Sequence, residues 1–273
     1  MRKRMSTMAA IALISIATTG FFASSACAEE EKPTADLSVS ALSKYVWRGY
    51  ELSKDSIILQ PSMTIGYKGF GFNLWGNLDT DEHEFLTLED DGSTGPDANS
   101  MSWNETDMTI SYDASCSFAD YGVGYIYYSV DGLPDTQEIY ASVTLKTLLA
   151  PSLTIYRDYD AMPGWYISAG ISHSFPINEE LSLDLGAKVG YYDIDDESTI
   201  ADPDDPSDAY SGFHDGVLSA SMTFPMGEYF SITPELYYSF PLTSDAEDVI
   251  ESGSANGKDS DYIYGGVTLS MSF

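Results

Sequence analysis

Positive charge is what this chain most lacks. Its 273 residues carry 12 Lys and Arg against 43 Asp and Glu, a formal net charge of −31 at pH 7. So acidic a chain repels phosphate backbones, which excludes nucleic acid as a partner on electrostatic grounds. Cysteine is nearly as scarce, with Cys27 and Cys116 the only two. If Cys27 goes with a cleaved leader, Cys116 has no partner within the chain for a disulfide. Long hydrophobic runs are also missing: nothing after residue 28 approaches the ~18 consecutive apolar residues of a membrane helix. No stretch shows a helical periodicity that supports an assignment. If such a chain spans a membrane, only a closed β-barrel satisfies its backbone.

The two termini suggest that it does. Arg2, Lys3 and Arg4 precede an apolar stretch from Met8 to Phe22 and the small-residue site Ala26-Cys27-Ala28. That is the pattern of a secretory leader. The expected organisation is a cleaved signal peptide at 1–28, a short periplasmic segment at 29–36 and a barrel at 37–273. At the other end Ile263, Val267, Leu269, Met271 and Phe273 fall on one face of a strand. Tyr262, Tyr264, Thr268, Ser270 and Ser272 fall on the other, so one face suits lipid and the other water. Leu269, Met271 and the terminal Phe273 resemble the C-terminal signal by which Gram-negative barrels are recognised by their assembly machinery.

Between the termini, alternation predicts twelve strands: 37–47, 57–67, 70–77, 104–114, 117–130, 136–147, 152–160, 165–175, 181–192, 213–224, 229–240 and 261–273. Links after every second strand are short, as at Lys68-Gly69. Several of the others are long, namely 78–103, 193–212 and 241–260, and the first two of these are rich in Asp and Glu and free of Lys and Arg. The expected fold class is therefore all-β: a transmembrane antiparallel up-and-down barrel with short periplasmic turns and long acidic extracellular loops. A soluble β-sandwich has no reason to segregate acidic loops onto alternate links. The rim should meet outer-membrane lipid and the lipopolysaccharide phosphates, with divalent ions loosely screening both.

Trp47, Tyr67, Trp165, Tyr191, Phe224, Phe240 and Phe273 are expected in the interfacial girdles. His173 and Arg157 fall on apparent lipid faces and so should lie near an interface. Lys44 and Arg48 share the polar face of the first strand with Ser38 and Ser40, which puts two cations in the lumen. Inward acids are expected at Glu105, Asp107, Asp113, Glu138, Asp158, Asp184 and Glu235, with Lys146 and Lys188. Charges lining a lumen select ions or polar solutes by field strength and radius. The same charges could instead pair across the interior and close it, since a barrel of about twelve strands lies between filled and open sizes.

Catalysis has weaker support. Asp79 and Asp81 with His214-Asp215 could in principle activate water, but acidic loops contain Asp pairs by composition alone. Asp193 to Glu197 offers hard oxygens without the glycine and terminal Glu of a dedicated calcium loop. No catalytic residues, metal ligands or cofactor are expected.

Ser43-Lys44-Tyr45-Val46-Trp47-Arg48-Gly49-Tyr50, then Gln60-Pro61-Ser62, Gly66-Tyr67-Lys68-Gly69-Phe70 and Trp75-Gly76-Asn77 with Asp79, resemble the opening hairpins of the TorF-type porins. That group is also known as a conserved hypothetical proteobacterial outer-membrane family of Gcw_chp type. The resemblance, concentrated in residues 37–79, implies an outer-membrane barrel of porin type and brings no catalytic residues. The reading overall is a channel for small ions or polar solutes that prefers cations, with a closed structural or adhesive barrel as the alternative and an outer-membrane hydrolase behind both.

Overall fold

The computed structural model describes residues 32–82 and 100–273. The leader at 1–28 and the acidic stretch containing Glu84, Glu89, Asp90, Asp91 and Asp97 lie outside the described residues. Twelve strands form the wall: β1 (Thr34–Leu42), β4 (Ile58–Tyr67), β5 (Phe70–Glu82), β6 (Ser100–Ser115), β7 (Ala119–Val130), β8 (Thr136–Leu145), β9 (Ser152–Asp158), β10 (Gly164–Pro176), β11 (Ser182–Ile194), β12 (Ser211–Met222), β14 (Phe230–Pro241) and β15 (Tyr262–Ser272). Each pairs antiparallel with its sequence neighbour in the wall. β1 with β15 (Val39 opposite Leu269) and β12 with β14 (Val217 opposite Ser239) complete the ring. Closure removes every unpaired edge.

Alternation along the strands sorts the side chains. Val39, Ile65, Ile110, Val123, Leu236 and Val267 point outward and are exposed. A continuous apolar belt of this kind is a liability in water and suits hydrocarbon. The interior-facing partners in the same strands are Ser, Thr, Tyr, Asn, Gly and carboxylates. Among the described residues the fold is a closed twelve-strand antiparallel barrel with one short helix, the architecture of outer-membrane barrels.

At one end the links between staves are tight. Lys68 (φ 52°) and Gly69 (φ 84°) make a two-residue turn with both φ positive, the geometry that matches strand twist. The link from β12 to β14 carries a three-residue strand, β13 (Phe224–Met226), paired with β14. At the other end two links fold inward. The first holds a small hairpin of β2 (Val46–Trp47) and β3 (Tyr50–Glu51), and the last holds the helix α1 (Ser244–Gly253).

Two expectations need correction here. The first strand does not run to Trp47; it leaves the wall after Leu42, and Lys44, Trp47 and Arg48 belong to the inward hairpin. Its turn-back is fixed by Tyr45 N donating to Ser53 Oγ (2.8 Å) and Leu52 N donating to Tyr45 O (2.8 Å). Trp47 is accordingly a lumen residue, in edge contact with Tyr128 (6.3 Å between ring centres), and no part of a girdle. The absence of helix is also wrong. The hydroxyl of Thr243 caps α1 by accepting from Ala246 N (3.1 Å), and Ala246, Val249 and Ile250 form its buried stripe, one face at helical spacing.

Candidate functional site in the barrel lumen

The interior face of β8 to β11 places four tyrosines side by side. Tyr140 pairs with Tyr156, Tyr156 with Tyr166, and Tyr166 with Tyr192. Their ring centres are 5.7, 6.1 and 4.9 Å apart and the rings are tilted to one another by 40°, 41° and 53°, within the separations at which aromatic rings attract. Tyr237 and Tyr264 stack at 5.0 Å on another part of the wall.

The tip of the β2–β3 hairpin inserts against this ladder. Arg48 (φ 47°) and Gly49 (φ 90°) are the central residues of its turn. Glycine suits its position, since a Cβ there would lie 2.8 Å from the Ile250 side chain and 3.2 Å from Asp215 Cβ. Arginine at a positive φ costs about 1 kcal/mol or more and persists only where surroundings fix it. They do so here. Arg48 is 6 % exposed, and its Nη2 donates to Glu138 Oε2 at 2.8 Å while Nη1 reaches Tyr192 Oη at 3.4 Å. Its Cζ lies 4.3 Å from the Tyr166 ring centre, 4.4 Å from Trp47, 5.0 Å from Tyr156 and 5.8 Å from Tyr192. Cation–π contacts of this desolvated kind contribute ~2 kcal/mol. Tyr128 Oη donates to the same Glu138 oxygen (2.8 Å) and orients it.

The hairpin is tied to α1 and its following link. Glu51 N donates to Ser254 Oγ (3.1 Å), Ala255 N donates to Glu51 O (2.7 Å), and Asn256 Nδ2 donates to the Glu51 carboxylate (2.6 Å). Lys44 makes an ion pair with Glu51 and lies over Tyr262.

Beside the cage, β12 carries one extra residue relative to β11, between the pairs Val189–Gly216 and Tyr191–Phe213. This bulge buries both His214 and Asp215. Tyr166 Oη donates to Asp215 Oδ1 (2.7 Å), whereas Asp215 Oδ2 has no hydrogen-bond partner and lies 3.8 Å from Lys188 Nζ. Gly190 makes the room: a Cβ there would stand 2.1 Å from Asp215 Oδ1 and 2.5 Å from Tyr166 Oη. His214 meets Tyr210 Oη through Nδ1 (3.2 Å) and packs against Tyr50 and Tyr192.

Toward the short-turn end the interior changes character. Ser38, Ser62, Ser142, Thr154, Ser172 and Ser219 face inward and remain partly exposed. Asp113 accepts from Ser111 Oγ (2.9 Å), Asp184 accepts from Ser174, and Glu235 accepts from Tyr237 (2.6 Å) and Thr268 (2.7 Å). Lys146 pairs with Asp120 at 3.0 Å.

The residues singled out from sequence thus separate. Arg48, Glu138 and Lys188 come together around the tyrosine ladder. Glu105 is buried against the Tyr45 hydroxyl, and Asp107 faces inward beside them, opposite Tyr128 and Trp75. Asp158 is buried but committed to its own loop, accepting from Thr136 Oγ1 (2.7 Å) and Asp160 N (2.9 Å). Asp113, Asp184 and Glu235 line the other half. Leu269 and Phe273 are exposed on the outer face with Met271 partly so, and Phe273 packs near Tyr229 (6.0 Å). Arg157 and His173 face outward at strand ends, Arg157 bonded twice to Asp195 (2.8 and 2.5 Å) and His173 to Leu148 O (2.7 Å). Asp79 lies on β5, five strands around the ring from His214 and Asp215 on β12. The tyrosine ladder and the lumen position of Trp47 are functional features the sequence did not reveal, and Asp215, weighed there only with Asp79 and Asp81, lies instead beside Tyr166. The Trp-Arg-Gly-Tyr tetrapeptide, a two-residue turn signal between aromatics, could have pointed to the first two.

The architecture is that of the closed antiparallel barrels found in outer-membrane porins. The NanC porin structure is similar at a TM-score of 0.50 and 10% identity, covering 87% of this chain and 98% of that one. LpxR from Salmonella typhimurium (TM-score 0.47, 8% identity, 88% of this chain and 99% of that one) and an outer membrane channel from Pseudomonas putida F1 (0.44, 9%, 88% and 94%) are also similar. No protein-family model matches the sequence, nor does any curated protein.

Proposed function

We propose that this protein is an outer-membrane channel for small cations or polar solutes, with conduction limited by the inward hairpin. The observation that carries this reading is the chemistry of the two faces of one wall: apolar outside, and inside hydroxyls with more carboxylates than cations. Glu105, Asp107, Asp113, Glu138, Asp184 and Glu235 face inward against Arg48 and Lys188. Such an interior favours cations. Export by the 1–28 leader, assembly through Leu269, Met271 and Phe273, contact of the long loops with lipopolysaccharide, and kinship with the TorF-type porins belong to the same proposal. Purified folded protein in a planar bilayer should give discrete conductance steps with a reversal potential that favours cations. Silent bilayers would contradict the channel and favour the closed structural or adhesive barrel, the reading that the buried Arg48–Glu138 pair supports.

A further inference from the structure

The cage around Arg48 is built from the wall, but its occupant is not. Tyr156, Tyr166 and Tyr192 stand on β9, β10 and β11, and Glu138 and its orienting Tyr128 on β8 and β7. Arg48 arrives on a hairpin whose own ladder has two residue pairs, Val46–Glu51 and Trp47–Tyr50. A ribbon that short has no independent stability. Its turn also holds a non-glycine residue at positive φ, a local conflict of the kind found where function overrides propensity.

We infer that Tyr156, Tyr166, Tyr192 and Glu138 form a recognition site for an organic cation of the guanidinium class, which the chain's own Arg48 fills in this structure. The cage meets the guanidinium at its two Nη atoms and with its rings, while Nε is buried without a hydrogen-bond partner. One carboxylate oxygen accepts from Nη2 at 2.8 Å, a tyrosine hydroxyl stands 3.4 Å from Nη1, and three wall-borne aromatic rings surround Cζ at 4.3 to 5.8 Å. Carboxylate at the edge and π-faces around a planar cation are complementary to that group and unsuited to an anion. A second anchor adjoins the cage. Asp215 lies against the hairpin tip at Gly49, receives Tyr166 Oη at 2.7 Å, and although fully buried keeps Oδ2 without a hydrogen bond, 3.8 Å from Lys188 Nζ. A solute carrying an amine beside its guanidinium could engage Glu138 and Asp215 together.

If the hairpin withdraws, Glu138 is left in a tyrosine-lined site without a counter-charge. Either Arg48 returns or a cation of like chemistry takes its place, so binding and withdrawal are coupled. The inference deepens the channel reading by naming the solute class. It rests on that reading for passage through the lumen but not for binding.

Calorimetry on the purified, folded full chain tests it, with methylguanidinium and agmatine as probes and glutamate as the anionic control. Arg48→Ala empties the cage and should bind methylguanidinium at least about tenfold more tightly than wild type, whose own arginine competes. Adding Glu138→Gln should remove the gain, and Asp215→Asn should weaken agmatine more than methylguanidinium. Folded Arg48→Ala that binds no better than wild type, or that takes glutamate equally well, would overturn the inference. If Arg48→Ala does not fold, Arg48→Lys, a weaker internal competitor without the planar fork, should still raise agmatine affinity. Failure of both variants to fold would assign Arg48 a purely structural role and overturn it as well. Planar-bilayer conductance is read separately: binding with silent bilayers keeps this inference and removes the channel, whereas conductance without binding keeps the channel and removes the inference.

Discussion

The two halves of the lumen share the same strands and differ in almost everything else. Toward the short turns the interior is lined by small hydroxyls, and its carboxylates accept hydrogen bonds from neighbours on the same wall, such as Asp113 from Ser111 and Glu235 from Thr268. Toward the long links it is filled by tyrosines, a buried ion pair and two inward-folded segments. The difference shows how a barrel of this size can be filled at one level and lined by small side chains at another. Serine and glycine fill little of the interior, whereas Tyr140, Tyr156, Tyr166 and Tyr192 reach inward far enough to meet a single hairpin tip. It also shows where charge is tolerated. In the short-turn half Asp113, Asp184 and Glu235 are held by hydroxyl donors and Asp120 pairs with Lys146, while in the filled half Glu138, 2 % exposed, is matched by Arg48.

Breaking that match should have the largest effect. Glu138→Gln leaves a buried guanidinium without its carboxylate, which costs about 3 kcal/mol of the docked arrangement. Because the hairpin is not part of the wall, it should swing out while the barrel stays closed. Trypsin should then cut after Arg48 in the variant and not in the wild type. Resistance equal to wild type would mean the tyrosines alone hold the tip.

Gly190→Ala sharpens the comparison from the wall side. The new methyl meets Asp215 and Tyr166 at distances no packing accepts, so the bulge or the tyrosine must shift at a cost of roughly 1–3 kcal/mol. Urea unfolding should detect the loss. Gly186→Ala, facing inward in the half-open region, should lose much less.

The smallest effect lies outside the lumen. The Arg157 guanidinium, bonded to Asp195, holds that carboxyl below its usual range. A depressed carboxylate contributes stability above its unfolded value of ~3.9, and that stability is lost as pH falls through the lower folded value. The pair is solvent-exposed and therefore weak. Arg157→Ala should increase proteolysis of the 195–210 link only slightly and remove its acid dependence below about pH 4, with no change in conductance.

What the sequence disclosed follows from periodicity. In Tyr262 to Phe273 and Leu181 to Tyr192 the period of two is unbroken, so both the strands and their faces were legible. The exit of the chain after Leu42 was not, because Ser43 to Trp47 continues an alternating pattern and no breaker precedes Arg48-Gly49. The helix α1 was hidden for a different reason: only Ala246, Val249 and Ile250 mark its stripe in an otherwise polar segment. Tyrosine suits both a membrane interface and a polar interior, so the twenty tyrosines gave no sign that a ladder of them faces inward. The bulge at His214-Asp215 shifts alternation by one residue and so concealed that both side chains are buried.

The claim that one half of the lumen is filled and the other open is tested most directly by cysteine accessibility in a Cys116→Ser background. Cysteines replacing Ser172 and Ser219 should react readily with a small water-soluble methanethiosulfonate. Cysteines replacing Ser239, opposite Tyr262, and Ile126, opposite Glu138, both buried on the interior wall of the filled half, should react at least about tenfold more slowly, since each needs an opening of the packed interior. Equal rates at all four positions would contradict the account.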